Sequence, residues 1–477
     1  MDKLYDDCIV KIISNNNDYD WYSPYKGASD SQSIGTGFFL SSEGYILTCC
    51  HVIQDSNLIE INIPSKGKQK FPARIISVSL DYDLAVIKVD IESCKFLKLG
   101  NSDEISQGNI VNAVGYPLGH DNLKVSQGVI SGFQAHLIQT DAPINSGNSG
   151  GPLVKINSNN DYEIIGVNSQ KISSEMADNI GYSIPINYFK LLKESMIINE
   201  FKVIYKPSLL CKFSITSEEM IKYLGSKKDF GYQIYKISEK SCLFKVGVRV
   251  LDLILSFDNF EIDRYGEVKI PTSKEKIHIM DLMYRYPIGK NVKIKYYSKT
   301  KKQEIETDVI LEHPDFKIKF KLVNFESKKI DFEIISGLVI CDMAENHLMK
   351  DQIPEYLSNK AKTEIFKYKE DMNRMCGKLY VVNILAGSYL YSDSDLSPGL
   401  FIEAVSPSLN EKFIKVNNLI KFRELMLTMY NNKNEFILIR FSNKKVIILD
   451  FNDVIQQNNI LSTNFGYPET ELFKILK

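Results

Sequence analysis

Asn145-Ser146-Gly147-Asn148-Ser149-Gly150-Gly151 offers Ser149 as a hydroxyl nucleophile inside a turn built almost wholly of small residues. Acyl chemistry has those requirements. A serine hydroxyl needs a base to take its proton, and the oxyanion it creates needs backbone N–H donors that no bulky side chain obstructs. The predicted oxyanion hole is therefore Gly147, Asn148 and Ser149, with the Gly147 and Ser149 amides as its donors. A Gly-Asn-Ser-Gly turn by itself is more often only a turn. The reading thus depends on a base and an orienting acid elsewhere, and Thr48-Cys49-Cys50-His51-Val52 supplies the first as His51. Asp83, in Asp81-Tyr82-Asp83-Leu84-Ala85-Val86-Ile87, supplies the second.

The chain order His51, Asp83, Ser149 is that of the double-barrel serine proteases and differs from the subtilisin and α/β-hydrolase orders. Strand patterns at Gly37–Leu40 and Gly44–Thr48 lead straight into His51, which predicts a histidine at a strand's end facing a cleft. Cys50, its neighbour, then points to the opposite face and is no nucleophile.

A chain of 477 residues has room for about three domains, and 44% hydrophobic composition is ordinary for a globular protein. Fifty-eight basic against fifty-nine acidic residues offer no general attraction to nucleic acid. No apolar run reaches the length of a membrane span. The acidic N-terminus lacks the apolar stretch of a secretory signal and the Arg/Ser character of a transit peptide, which predicts a cytoplasmic or nuclear protein. The eight cysteines are scattered without a Cys-x-x-Cys pair, and His120, His136, His278, His313 and His347 lack ligand-like spacing. No metal or organic cofactor is implied.

Residues 1–200 read as short strands closed by one helix near Ile186–Leu192, with a long surface loop between the first strand and Gln32. A second unit, 205–312, has strands around Tyr232–Ile237, Val250–Asp258, Asn291–Tyr297 and Glu304–Leu311, and a helix near Ile279–Arg285. A third, 316–477, repeats that plan with a helix at Leu419–Tyr430 and an inserted charged helix within Met349–Arg374.

Gly35-Thr36-Gly37-Phe38, Tyr45-Ile46-Leu47-Thr48 with His51-Val52, Asp83-Leu84-Ala85-Val86, Gly115-Tyr116-Pro117, Gln127-Gly128-Val129-Ile130-Ser131 and Gly147-Asn148-Ser149-Gly150-Gly151-Pro152 together resemble the HtrA/Deg serine proteases. Later segments, Glu333–Val339 among them, look like the plant-type Deg branch. The resemblance implies a mainly β fold: a trypsin-like double β-barrel followed by two PDZ-like α+β domains. It implies an ATP-independent endopeptidase acting on unfolded or damaged proteins, with His51, Asp83 and Ser149 as the catalytic triad. It also implies a homo-oligomer, a trimer or multiple of trimers, for which Tyr19, Trp21, Tyr22 and Tyr25 are either the contact or a cover for the first barrel.

Further expectations concern specificity and control. Pro143, six residues before Ser149, stands where trypsin has a pocket-base carboxylate, so a Lys/Arg preference is not expected. Ile180 and Tyr182 would line an apolar pocket, and the edge formed by Gly166-Val167-Asn168-Ser169-Gln170 would pair with substrate backbone. Asn148, an amide where zymogens of the trypsin type carry a carboxylate, argues against activation by N-terminal cutting. The loop 132–138 is shorter than the family's. Phe230, Gly231 and Tyr232 are the expected peptide-binding loop of the first PDZ-like domain. A competing reading is a catalytically silent, protease-shaped chaperone or PDZ scaffold.

Overall fold

The computed structural model describes residue 5 and residues 7–156, 162–169, 180–197, 201–273 and 275–476. The chain folds as two compact units, Met1–Asn16 with Ser31–Pro314, and Asn17–Asp30 with Asp315–Lys477. Residues 17–30, which the sequence reading includes in a first domain of 1–200, group with the second unit.

In the first unit, β1 (Ile9–Tyr19), β2 (Ala28–Phe39), β3 (Tyr45–Thr48), β4 (Ser56–Asn62), β5 (Lys70–Ser79) and β6 (Leu84–Val89) close into a ring in the order β5-β4-β1-β2-β3-β6. A short β7 (Lys98–Leu99) leads to a second ring. This ring comprises β8 (Ile110–Gly115), β9 (Lys124–Gln134), β10 (Leu137–Thr140), β11 (Pro152–Ile156), β12 (Tyr162–Ser169) and β13 (Gly181–Pro185), closed by β11 pairing β12. The fold is mainly β with a trypsin-like double barrel. Closure removes sheet edges, and the barrels fill with branched side chains such as Ile12, Leu47 and Val86, all fully buried. Where a long surface loop is predicted after the first strand, β1 and β2 instead pair with each other around a short turn at Pro24–Lys26.

The rest of this unit is a sheet with strand order 211–214, 232–237, 253–257, 291–298, 303–310. The short turn between β9 and β10 sets His136 flat against Tyr284, with ring centroids 3.8 Å apart. The helix predicted near Ile279–Arg285 is one α turn, Ile279–Leu282, continued by a 3₁₀ turn at Met283–Arg285.

The second unit holds a seven-stranded sheet, its main path ordered 332–335, 338–342, 379–384, 401–406, 436–441, 446–450, with 414–415 pairing 401–406. Alternation along the strands splits its side chains between two cores. Leu338, Ile340, Leu379 and Val381 pack with Phe422 and Met426 of the helix Leu419–Asn431. Val339, Cys341, Tyr380 and Val382 pack with Trp21, Tyr22 and Tyr25. The aromatic cluster is thus neither an oligomer contact nor a cover for the first barrel in this chain; it fills the open face of the second unit's sheet. Polar tips are satisfied as burial requires: Tyr22 Oη donates to His347 O at 3.0 Å, and Asn383 Nδ2 donates to Tyr22 O at 3.2 Å. The inserted charged segment holds only a short helix, Asn359–Phe366, because Pro354 interrupts the run and Ser358 caps a fresh start, accepting from Ala361 N.

His347 sits fully buried among Trp21, Tyr22 and Tyr380, and burial pushes its imidazole pKa down to about 3. The neutral ring is the one the fold accepts. Since the folded pKa lies below the unfolded value of about 6.5, this contribution is complete above pH 6.5 and is lost as pH falls toward 3. At pH 5 the loss from this one group is about 2 kcal/mol. Urea midpoints followed through the single tryptophan, which lies in this core, are expected to drop between pH 7 and 5; a midpoint independent of pH in His347→Gln but not in the parent would assign the effect.

Candidate active site

Thr48 ends β3 and donates its hydroxyl to Thr36 O at 2.7 Å, so the chain turns at once into a one-turn helix, Cys50–Ile53. His51 therefore lies in a helical turn rather than at the end of a strand. The turn puts His51 N–H and its ring on the same carboxylate. His51 N donates to Asp83 Oδ1 at 3.0 Å, and Nδ1 lies 2.8 Å from Asp83 Oδ2. Asp83 adopts φ +52, a conformation that costs a non-glycine residue free energy and is found preferentially at functional sites. Cys50 N donates to Asp83 O at 3.1 Å, and Ser169 Oγ donates to Oδ2 at 3.0 Å. Four donors thus orient one residue.

The Ser149 loop is held from several sides. Thr36 N donates to Ser149 O at 2.9 Å, and Gly150 N donates to Asn168 O at 2.8 Å. Asn168 O also accepts Cys49 Sγ at 3.3 Å, so one carbonyl joins the histidine segment to the serine segment. Burial holds the Cys49 thiol well above its ordinary pKa, which keeps it a donor. Gly150 has φ +84, and a Cβ there would lie 2.1 Å from Thr48 Oγ1; only glycine fits the crossing.

Gly147 has φ +94, and a Cβ would meet Tyr116 O at 2.2 Å. Its carbonyl accepts Thr36 Oγ1 at 2.6 Å, while Ser146 O accepts Leu118 N at 2.6 Å. Because a trans peptide places its C=O and N–H in opposite directions, the bond from Leu118 aims the Gly147 N–H away from the 116–119 segment. Asn148 does not fit the predicted hole: its N–H donates to Asn145 O at 2.9 Å. The tight turn that frees one amide consumes the next.

Asn168 and Ser169 are fully buried, and their side chains face inward, Asn168 Nδ2 donating to Pro152 O and Ser169 to Asp83. Gly166 and Val167 pair with both β11 and β13, and Asn168 pairs with β13 on one side and with Gly150 and Gly151 on the other. The predicted open edge is closed there by the barrel, and Gln170 lies outside the described residues. Ile180 and Tyr182 are half-buried and flank Gly181, whose α-carbon faces Ile144. The 230–232 segment is also corrected as a peptide site: Tyr232 opens an interior strand, stacks on Phe213 and is buried, and Phe230 packs beside Leu255 and Tyr297. An interior strand has no free backbone edge. In that sheet the edge strands of the main path are 211–214 and 303–310.

Sequence reasoning misses Thr36, whose hydroxyl both accepts from Tyr116 N and donates to Gly147 O. Its placement between two glycines, Gly35 and Gly37, is the available signal.

A family model described as a trypsin-like peptidase domain matches residues 35–167, which bracket His51, Asp83 and Ser149. A probable periplasmic serine endoprotease, DegP-like, of Pseudomonas fluorescens is 33% identical over 241 residues, 48% of each chain. The protein of the same description from Rickettsia prowazekii is 28% identical over 377 residues, 76% of this chain and 67% of its own. The chain spans about half the length of the curated relatives first matched. Among solved structures, the HtrA-type protease AlgW with a decapeptide superposes with TM-score 0.50 at 23% identity, covering 65% of this chain and 96% of that one. The expected cytoplasmic or nuclear location is overturned by these relatives, which are named periplasmic; it rested on the absence of a leader, and an absence carries no location. Among the described residues no helix is long and apolar enough to cross a membrane.

Proposed function

We propose that the chain is a serine protease of the HtrA/Deg type, an ATP-independent endopeptidase of unfolded or damaged proteins, a reading supported by its likeness to DegP-like serine endoproteases. The carrying observation is the His51 ring clasped by Asp83 beside a Ser149 loop tied to the same segment through Asn168 O. In this reading His51 Nε2 takes the Ser149 hydroxyl proton as Oγ bonds to the scissile carbonyl carbon, and Asp83 stabilises the imidazolium. The same proton passes to the leaving amine as the C–N bond breaks. Water then repeats the sequence on the acyl-enzyme. The Gly147 and Ser149 amides hold the oxyanion.

The apolar Ala142-Pro143 and the half-buried Ile180 and Tyr182 favour small or medium apolar residues before the cut. Peptide capture by the 205–312 domain, read as PDZ-like, would use the edge strand 211–214. Assembly into trimers or their multiples is part of the same family reading.

A fluorophosphonate tests the central point directly. It is expected to phosphonylate Ser149 alone in the native chain, with labelling lost in His51→Ala and after unfolding. Labelling equal in parent and His51→Ala would sink the endopeptidase reading and leave the silent chaperone or scaffold.

A further inference from the structure

The orientation of the Ser146–Gly147 peptide is set from outside the triad. Leu118 N holds Ser146 O, and Leu118 itself sits at φ +54, a position leucine occupies only when its surroundings enforce it. The turn's own backbone bonds, Gly119 N to Tyr116 O and His120 N to Pro117 O, hold the segment, and the residue after Leu118 is anchored from the first barrel. Gly119 O accepts Lys11 Nζ at 2.7 Å. Lys11 is only 7% exposed, which is rare for lysine, and its second partner is Asp121 Oδ1 at 3.3 Å on a side chain that is 86% exposed. An ammonium has three N–H donors. Two are taken by protein groups among the described residues.

Lys11 lines an open cleft of roughly 840 Å³ on the first barrel, together with Lys68, Lys70 and Lys95. Against these four cations the lining sets two carboxylates, Asp7 and Asp121. Asp7 is already neutralised by Lys95, which holds its carboxyl below the usual range. Lys70 is paired with Glu60 at 2.9 Å, and Lys68 has no ion pair among the described residues. The lining carries four ammonium groups against two carboxylates, an excess of two, with a buried ammonium at its wall. That ammonium is the clamp on the loop that aims the oxyanion peptide.

We propose that this cleft binds a small multivalent oxyanion of the oligophosphate class through Lys11, Lys68 and Lys70, and that occupancy activates the peptidase by fixing the Lys11–Gly119 clamp. The inference rests on the proposed endopeptidase reading only for its activation half. A chain of phosphates matches several ammonium groups spread along one groove, where a single monovalent anion engages one. Binding favours the loop arrangement in which Leu118 N meets Ser146 O, and a ligand shifts such an equilibrium by its preference for one state.

The probe is inorganic tripolyphosphate at millimolar concentration, at an ionic strength matched with sodium chloride, on the full chain. Calorimetry is expected to give saturable binding, and fluorophosphonate labelling of Ser149 is expected to accelerate about 5-fold or more. Lys68→Ala with Lys70→Ala should lose both responses while keeping the parent's melting temperature and unstimulated labelling. Lys11→Met should lower unstimulated labelling by up to about 10²-fold, the scale of one lost oxyanion donor. No binding heat in the parent, or binding undiminished in the double variant, overturns the site. Binding without a change in labelling overturns the coupling. A parent that never labels refutes the peptidase reading, and calorimetry still decides the site.

Discussion

Asp83→Asn is expected to keep the fold and lose about four decades of peptidase rate. The carboxylate accepts from His51 N and Nδ1 and from Ser169 Oγ, using both oxygens. An amide has one acceptor oxygen and one donor nitrogen. Whichever way the substituted amide turned, a donor would face a donor, and the ring could relieve that conflict only by carrying its proton on Nε2. The nitrogen that must accept from Ser149 is then blocked. The measurement is kcat/KM on a quenched fluorescent unfolded substrate, with active sites counted by fluorophosphonate. Ser149→Ala fixes the floor. A loss of only a few-fold in Asp83→Asn would mean that Asp83 does not set the tautomer of His51. Ser169→Ala removes one of the four donors and leaves the His51 contacts intact, so its loss should be far smaller.

The double barrel is legible because closed β-rings need short alternating strands, and those are written in runs such as Tyr45–Thr48 and Leu84–Val89. The candidate site residues are picked out by their chain order, His51 then Asp83 then Ser149, and Ser149 also by the glycines around it. What the sequence conceals depends on long-range placement. Nothing near Trp21 and Tyr22 says that a sheet some three hundred residues later lacks a cover; that follows only from the split of Val339 and Tyr380 from Leu338 and Leu379. Asn148 misleads because an amide's use depends on the turn's geometry, not on residue type. The 230–232 segment misleads because a glycine before a strand marks a turn, whereas peptide capture needs a strand with an open edge. Lys11 looks like any strand lysine until its ammonium is seen on Gly119 O.

Arg423→Met is expected to destabilise the second unit by about 3–5 kcal/mol at neutral pH. Glu333 lies in the strand 332–335 with its side chain wholly buried, and burial raises its pKa. Arg423, from the helix Leu419–Asn431, donates Nε to Glu333 Oε1 at 2.7 Å and forks onto Asp331 at 2.6 and 2.8 Å. Leu472 N donates to the same Glu333 oxygen at 3.0 Å, so the carboxylate joins the strand, the helix and the C-terminal segment. Methionine fills the space of the stem but leaves an anion in a core with one neutral donor. Glu333 must then take up a proton, raising its folded pKa further above the unfolded value. The penalty is therefore full at pH 7 and shrinks as pH falls through that raised pKa. Glu333→Gln combined with Arg423→Met removes the stranded charge and should recover more than half of the loss, a coupling that a double-mutant cycle reads directly. Urea unfolding followed by Trp21 fluorescence reports on this unit alone, since that ring sits in its core. Equal destabilisation in the single and double variants would mean that the guanidinium acts by packing and that the buried charge is immaterial.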